Sequence, residues 1–187
     1  MQLKIASISN LTDARYFSAV GANYLGFCFD ALAENNIPIA TAKEIINWIH
    51  HPDIVGEFGI HQPLEEIQFL AQEFGLNGIQ VPYLHMQREQ LSFQKFLYME
   101  DWKEISGIAS TDVLVVKIKK EDIQHPNLKQ LVNSNKLFID IGLDKATVLN
   151  AIEHLNPYGI QLTCKLEEKI GWSSVDEYAE ILEAIGY

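Results

Sequence analysis

The chain has 187 residues, 48% of them hydrophobic and 21% charged, with a formal net charge of −11. That length suits a single domain, 1–187, with a substantial core, and the composition excludes wholesale disorder. Fourteen basic residues against 25 acidic ones exclude the basic stripe that nucleic-acid binding needs, so no nucleic-acid partner is expected.

The first predicted element is Lys4-Ile5-Ala6, a short strand that runs through a small-residue turn into Asn10-Leu11-Thr12-Asp13, which opens a helix. Strand ends that feed such loops are where α/β enzymes usually hold their chemistry. Ala6, at this tip, offers only a methyl group. Counting 3–8, eight short apolar runs follow one another, the others at 24–29, 53–60, 78–81, 95–99, 112–118, 136–141 and 159–163. Amphipathic stretches separate them, among them TAKEIINWIH and PLEEIQFLAQEFG. In the latter, Leu64, Ile67, Leu70, Ala71 and Phe74 recur at helical spacing, with Pro63 at the first turn and Gly75 as the stop. DKATVLNAIEHL and SSVDEYAEILEAIG repeat the pattern, with Asp144 and Ser174 as N-caps. The connections around PYLHMQREQLS and EDWKEISGIAS carry the weakest helical signal. VLVV at 113–116 reads as a strand buried on both faces, as parallel strands are. Eight such β units with intervening helices predict a closed (β/α)8 TIM barrel, compact and with shortened loops.

Two cysteines, Cys28 and Cys164, are too few for a disulfide framework and lack zinc-finger spacing. No run of about 18 apolar residues and no signal-peptide core is visible, so a soluble, cytoplasmic protein without a membrane partner is expected.

Several segments together resemble the phosphoribosylanthranilate isomerase family of tryptophan biosynthesis. KIASISNLTDA resembles its first strand, loop and helix start, GANYLGFCF its second strand, and VGEFGIHQPLEEI its third strand and following helix. GLNGIQV resembles its fourth strand, IGLDKATVLNAI its seventh loop and helix, and PYGIQLTCKLE its eighth strand and phosphate loop. The resemblance implies the same barrel and an Amadori rearrangement, in which an aspartic acid protonates the sugar ring oxygen and a cysteine thiolate removes the C2′ proton. The family's base falls on Ala6 and its acid on Lys117. Its carboxylate-binding arginine falls on Asn35, and a histidine after strand four on Pro82. In its phosphate cup a Gly-Gly-Leu loop becomes Ile141-Gly142-Leu143, and a Ser-Ser-Gly loop becomes Thr163-Cys164-Lys165. The glycine-rich lid after strand six is missing from KIKKEDIQHPN.

Candidate site residues follow. Lys117 is either a Schiff-base lysine or general acid, or a mouth lysine paired with Asp140 on the neighbouring strand. Asp140 is either a substitute base or that partner. Asn35, Gly142, Thr163, Cys164 and Lys165 are candidate ligand contacts, and the eighth loop suits a small anionic or phosphorylated ligand. His61 and His85 follow strands three and four and can face the mouth. No HExxH or similar spacing occurs, so no metal and no cofactor is expected. Cys28, within GFCF, reads as inert core. Three functions stay open: a catalytically impaired relative that binds a small anionic ligand or regulates a partner, an isomerase using substitute residues such as Lys117 and Asp140, and a different chemistry on the same barrel.

Overall fold

In the computed structural model, which describes residues 1–85, 88–104, 112–165 and 175–187, eight parallel strands pair in chain order and close on themselves. They are β1 (Gln2–Ala6), β2 (Tyr24–Cys28), β3 (Asp53–Glu57), β4 (Gly78–Pro82), β5 (Gln94–Met99), β6 (Val113–Lys117), β7 (Leu137–Asp140) and β8 (Gly159–Thr163). Closure runs through β1 and β8, registered from Gln2 opposite Gly159 to Ala6 opposite Thr163. The helices outside are α1 (Leu11–Ala19), α2 (Ile39–Trp48), α3 (Leu64–Glu73), α4 (Pro126–Ser134), α5 (Lys145–Leu155) and α6 (Val175–Ile185). This is the (β/α)8 barrel predicted from the alternation.

Local chemistry accounts for the element ends. Asn10 caps α1 by accepting from the Asp13 amide at 2.8 Å, and Asp144 caps α5 by accepting from the Thr147 amide at 3.0 Å. Pro63 sits just ahead of α3 in extended backbone, so the helix begins one residue later than the sequence suggests. Gly75 ends it with φ +59, a left-handed backbone that costs glycine nothing. Ser174, expected as a cap, lies outside the described residues. Where the helical signal was weakest, the described residues make a 3₁₀ turn after β4, Arg88–Gln90, and another after β5, Trp102–Glu104, while residues 86–87 and 105–111 of these connections lie outside the described residues.

Successive strand residues alternate between two apolar layers. The larger lies between strands and helices, where Ile67, Leu70 and Phe74 of the α3 segment pack, with Leu64 at its edge. The smaller fills the barrel itself with Val55, Phe96, Val113, Val115 and Phe138, flanked by Tyr24 and Tyr98. Tyr24 meets Phe96 and Phe138 edge-on at 5.2 and 5.9 Å between centroids. The same inward parity carries Lys4, Cys28, Glu57, Gln80, Asp140 and Gln161, so the polar side chains of the strands gather inside, above the aromatic plug. No helix among the described residues is long and apolar enough to cross a membrane.

Candidate active site

The C-terminal ends of the strands open into a cavity of about 380 Å³, within the size range of small-ligand sites. Its floor is a buried charge network. Lys4, 0% exposed, donates to Glu57 Oε1 at 2.6 Å and to Gln161 Oε1 at 2.8 Å. Glu57 Oε2 accepts from the Ser7 amide at 3.1 Å and from Ser7 Oγ at 3.2 Å. Ser7 holds left-handed backbone, φ 60, unusual for serine, and these bonds fix it there. Gln161 Nε2 in turn donates to Asp140 Oδ2 at 3.3 Å. Gly26 makes room for the pair, since a Cβ there would fall 2.1 Å from Glu57 Oε1.

Around this floor the lining is acidic. Asp30, Glu57, Glu100 and Asp140 line the cavity, and among the described residues no lysine or arginine does. Burial raises the Asp140 carboxyl above the ordinary carboxylate range, against the pull of Gln161, Lys4 and Lys117. Burial, reinforced by Asp140, Glu100 and Glu57, likewise pushes the Tyr98 phenol up. Cys28 lies on this lining rather than in the core, because the parity of β2 turns it inward with Tyr24 and Gly26. Its thiol is pushed up to about 11, chiefly by burial, and is protonated at neutral pH.

The residues singled out in the sequence separate here. Ala6, Asn35, Thr163 and Asp140 line the mouth. Asn35 is already engaged, donating to Ser7 Oγ at 2.5 Å. Lys117 is in register with Asp140, yet it is exposed and lines a neighbouring surface cleft with Glu100, Asp101, Glu121 and Asp122. The expected Lys117–Asp140 ion pair is not formed among the described residues, because β6 ends there and the lysine extends over the rim. Gly142 keeps its turn with φ +82. At the start of the eighth loop the two described backbone donors are taken: the Cys164 amide bonds Ala6 O at 2.9 Å, and the Lys165 amide bonds Tyr178 Oη at 3.0 Å. Lys165 Nζ pairs with Glu177. Cys164 is buried, and burial raises its thiol well above the ordinary value. His61 is exposed, while the ring of buried His85 bonds Gln62 O at 3.0 Å. Among the described residues no group of His, Cys, Asp and Glu is arranged to hold a metal.

Lys4, Glu57, Gln80, Tyr98 and Gln161 were not singled out as site residues. Their signal was present: each is a polar or phenolic side chain at an inward position of an otherwise apolar strand.

No family model matches the chain. Curated relatives do. It is 22% identical over 213 residues to an N-(5′-phosphoribosyl)anthranilate isomerase of Gloeothece citriformis, covering 99% of this chain and 94% of that one. It is 27% identical over 187 residues to the corresponding enzyme of Bacillus mycoides, covering 89% of each. The chain is similar to the phosphoribosylanthranilate isomerases. A solved phosphoribosylanthranilate isomerase of Thermotoga maritima superposes with a TM-score of 0.80 at 20% identity over the whole of both chains. That likeness shows the barrel fold; the side chains at the mouth carry the question of activity.

Proposed function

We propose that this chain is a phosphoribosylanthranilate isomerase-like barrel that binds a small ligand at its mouth and does not carry out the Amadori rearrangement. The observation that carries this reading is the tip of β1, where the buried side chain of Ala6 presents only a methyl group. Proton abstraction from C2′ needs a base within hydrogen-bond reach, and a methyl group has no lone pair.

Nearby groups do not replace it. Cys28 and Cys164 are both thiols at neutral pH, not thiolates. Glu57 already accepts three hydrogen bonds, from Lys4 Nζ, the Ser7 amide and Ser7 Oγ. Lys117, at the position the resemblance assigns to the acid, lines the neighbouring cleft instead of the mouth. Asp140, buried and with a raised carboxyl, favours a second reading in which it serves as substitute acid or base. A single carboxyl supplies one of the two groups, whereas the rearrangement needs an acid and a base on opposite sides of the sugar. Loss of groups that act as a unit removes most of the catalysis together.

Complementation tests this. Expressed in a tryptophan auxotroph lacking the isomerase, the chain should not restore growth. Growth that is lost in Asp140→Asn would establish the substitute chemistry instead.

A further inference from the structure

The binding reading leaves the ligand's chemical class open, and the mouth contains an observation that addresses it. Gln80 of β4 is 8% exposed, its side chain lines the cavity, and its Oε1 has no hydrogen-bond donor among the described residues. A buried acceptor without a donor is costly, and natural interiors seldom leave one unsatisfied. What it lacks is an N–H or O–H from outside the fold.

The surroundings restrict which donor fits. Asp30, Glu100 and Asp140 face the same cavity, and the cation beneath them, Lys4, is bound to Glu57 and Gln161. A carboxylate or phosphate entering here meets like charge, and the described amides of the eighth loop are already engaged. A divalent metal is usually held by several carboxylates, and among the described residues no three His, Cys, Asp or Glu side chains are grouped to hold one. An ammonium can donate in three directions and neutralises one carboxylate in doing so.

Beside the mouth lies a second cavity of about 660 Å³. It shares Asp30, Phe58, Tyr98 and Glu100 with the first, and its other walls include Ile60, Tyr83, Leu84 and Met99. Ile60 and Leu84 are 42% and 61% exposed, large apolar side chains left facing solvent beside an acidic rim. An apolar shelf joined to a donor-hungry acidic pocket matches a ligand with a charged head and an apolar body. The formal charge of −11 favours the approach of such a cation over long range.

We propose that the two cavities together bind a small organic cation: a primary ammonium that donates to Gln80 Oε1 within the acidic lining contributed by Asp30, Glu100 and Asp140, with an aromatic or alkyl body on the shelf formed by Tyr83 and Leu84. The inference rests on the binding reading above and names the ligand class for that site.

Calorimetry at low ionic strength tests it with four probes: phenethylamine, the neutral phenethyl alcohol, the anion 3-phenylpropionate, and inorganic phosphate. Phenethylamine should bind saturably, at least about tenfold more tightly than the alcohol, with neither anion binding measurably. Its affinity should fall as salt is raised. Glu100→Gln, an exposed change that leaves the fold intact, should weaken the amine by about fivefold to tenfold while the alcohol is unaffected, and Gln80→Leu should weaken the amine by a similar factor. Binding of either anion at least as tightly as the amine would overturn the inference and leave the reading of a ligand-binding barrel standing. So would amine affinity unchanged in both variants, or no saturable amine binding at millimolar concentration. Absence of isomerase activity is read separately by complementation, so the two failures are distinguishable.

Discussion

Replacing Lys4 by methionine keeps the length of the side chain and removes its charge. Lys4 is fully buried, 2.6 Å from Glu57 Oε1 and 2.8 Å from Gln161 Oε1, so the change strands a buried carboxylate and a buried amide oxygen together. Breaking a buried ion pair by removing one partner costs about 3–5 kcal/mol. In a chain of this size, with about 2–4 °C of Tm per kcal/mol, that corresponds to a fall of about 6–20 °C. Glu57→Gln should be costly for the converse reason, leaving an uncompensated ammonium. The double variant Lys4→Met/Glu57→Gln should lose less than the two single losses combined, by about 0.5–3 kcal/mol, because the charge imbalance is gone. Urea unfolding of the four proteins measures all three quantities. A Lys4→Met protein within about 1 kcal/mol of wild type, or strictly additive variants, would refute the claim that this pair is a structural floor for the mouth.

Gly26→Ala should act on the same floor from the neighbouring strand, since its new methyl would fall 2.1 Å from Glu57 Oε1; a loss of about 1–3 kcal/mol in urea unfolding is expected. Ile67→Ala, on the buried face of α3, should cost about 2–5 kcal/mol by the same assay. Asp140→Asn should stabilise the protein at neutral and higher pH. Burial raises this carboxyl in the folded state, so the folded chain binds a proton that the unfolded chain has released, and stability is lost as pH climbs from the ordinary carboxylate value through the raised one. The Tm advantage of the variant should therefore be largest above that window and vanish below about pH 4.

The barrel was readable because each strand is a short apolar run bounded by polar or glycine positions, and because parallel strands hide both faces. The fourth and fifth connections read weakly as helices, and in their described parts they make single 3₁₀ turns. At the site, Ala6 was legible because it falls at a strand tip, and Asn35 only through the resemblance to the isomerases. The Lys4–Glu57 pair was not, since its members are 53 residues apart and meet only because β1 and β3 flank a glycine in β2. Cys28 read as core because an apolar run does not announce which of its residues faces the barrel's inside. Lys117 has the right parity for the mouth, but a long side chain at the last residue of a strand can leave over the rim, and here it does. The loop-eight amides looked available for an anion in the sequence. Tyr178, thirteen residues beyond Lys165, takes one of them and donates its own hydroxyl to Thr163 O.

The most direct test of the central claim is the rate at which purified protein consumes phosphoribosylanthranilate, followed as the substrate's fluorescence decays under conditions where an active isomerase is run in parallel. With Ala6 at the β1 tip and the Cys28 thiol of the mouth protonated, the decay with protein should match that of buffer alone. A saturable, protein-dependent rate that disappears in Asp140→Asn would contradict the account and make this barrel an isomerase with its acid–base chemistry moved to β7.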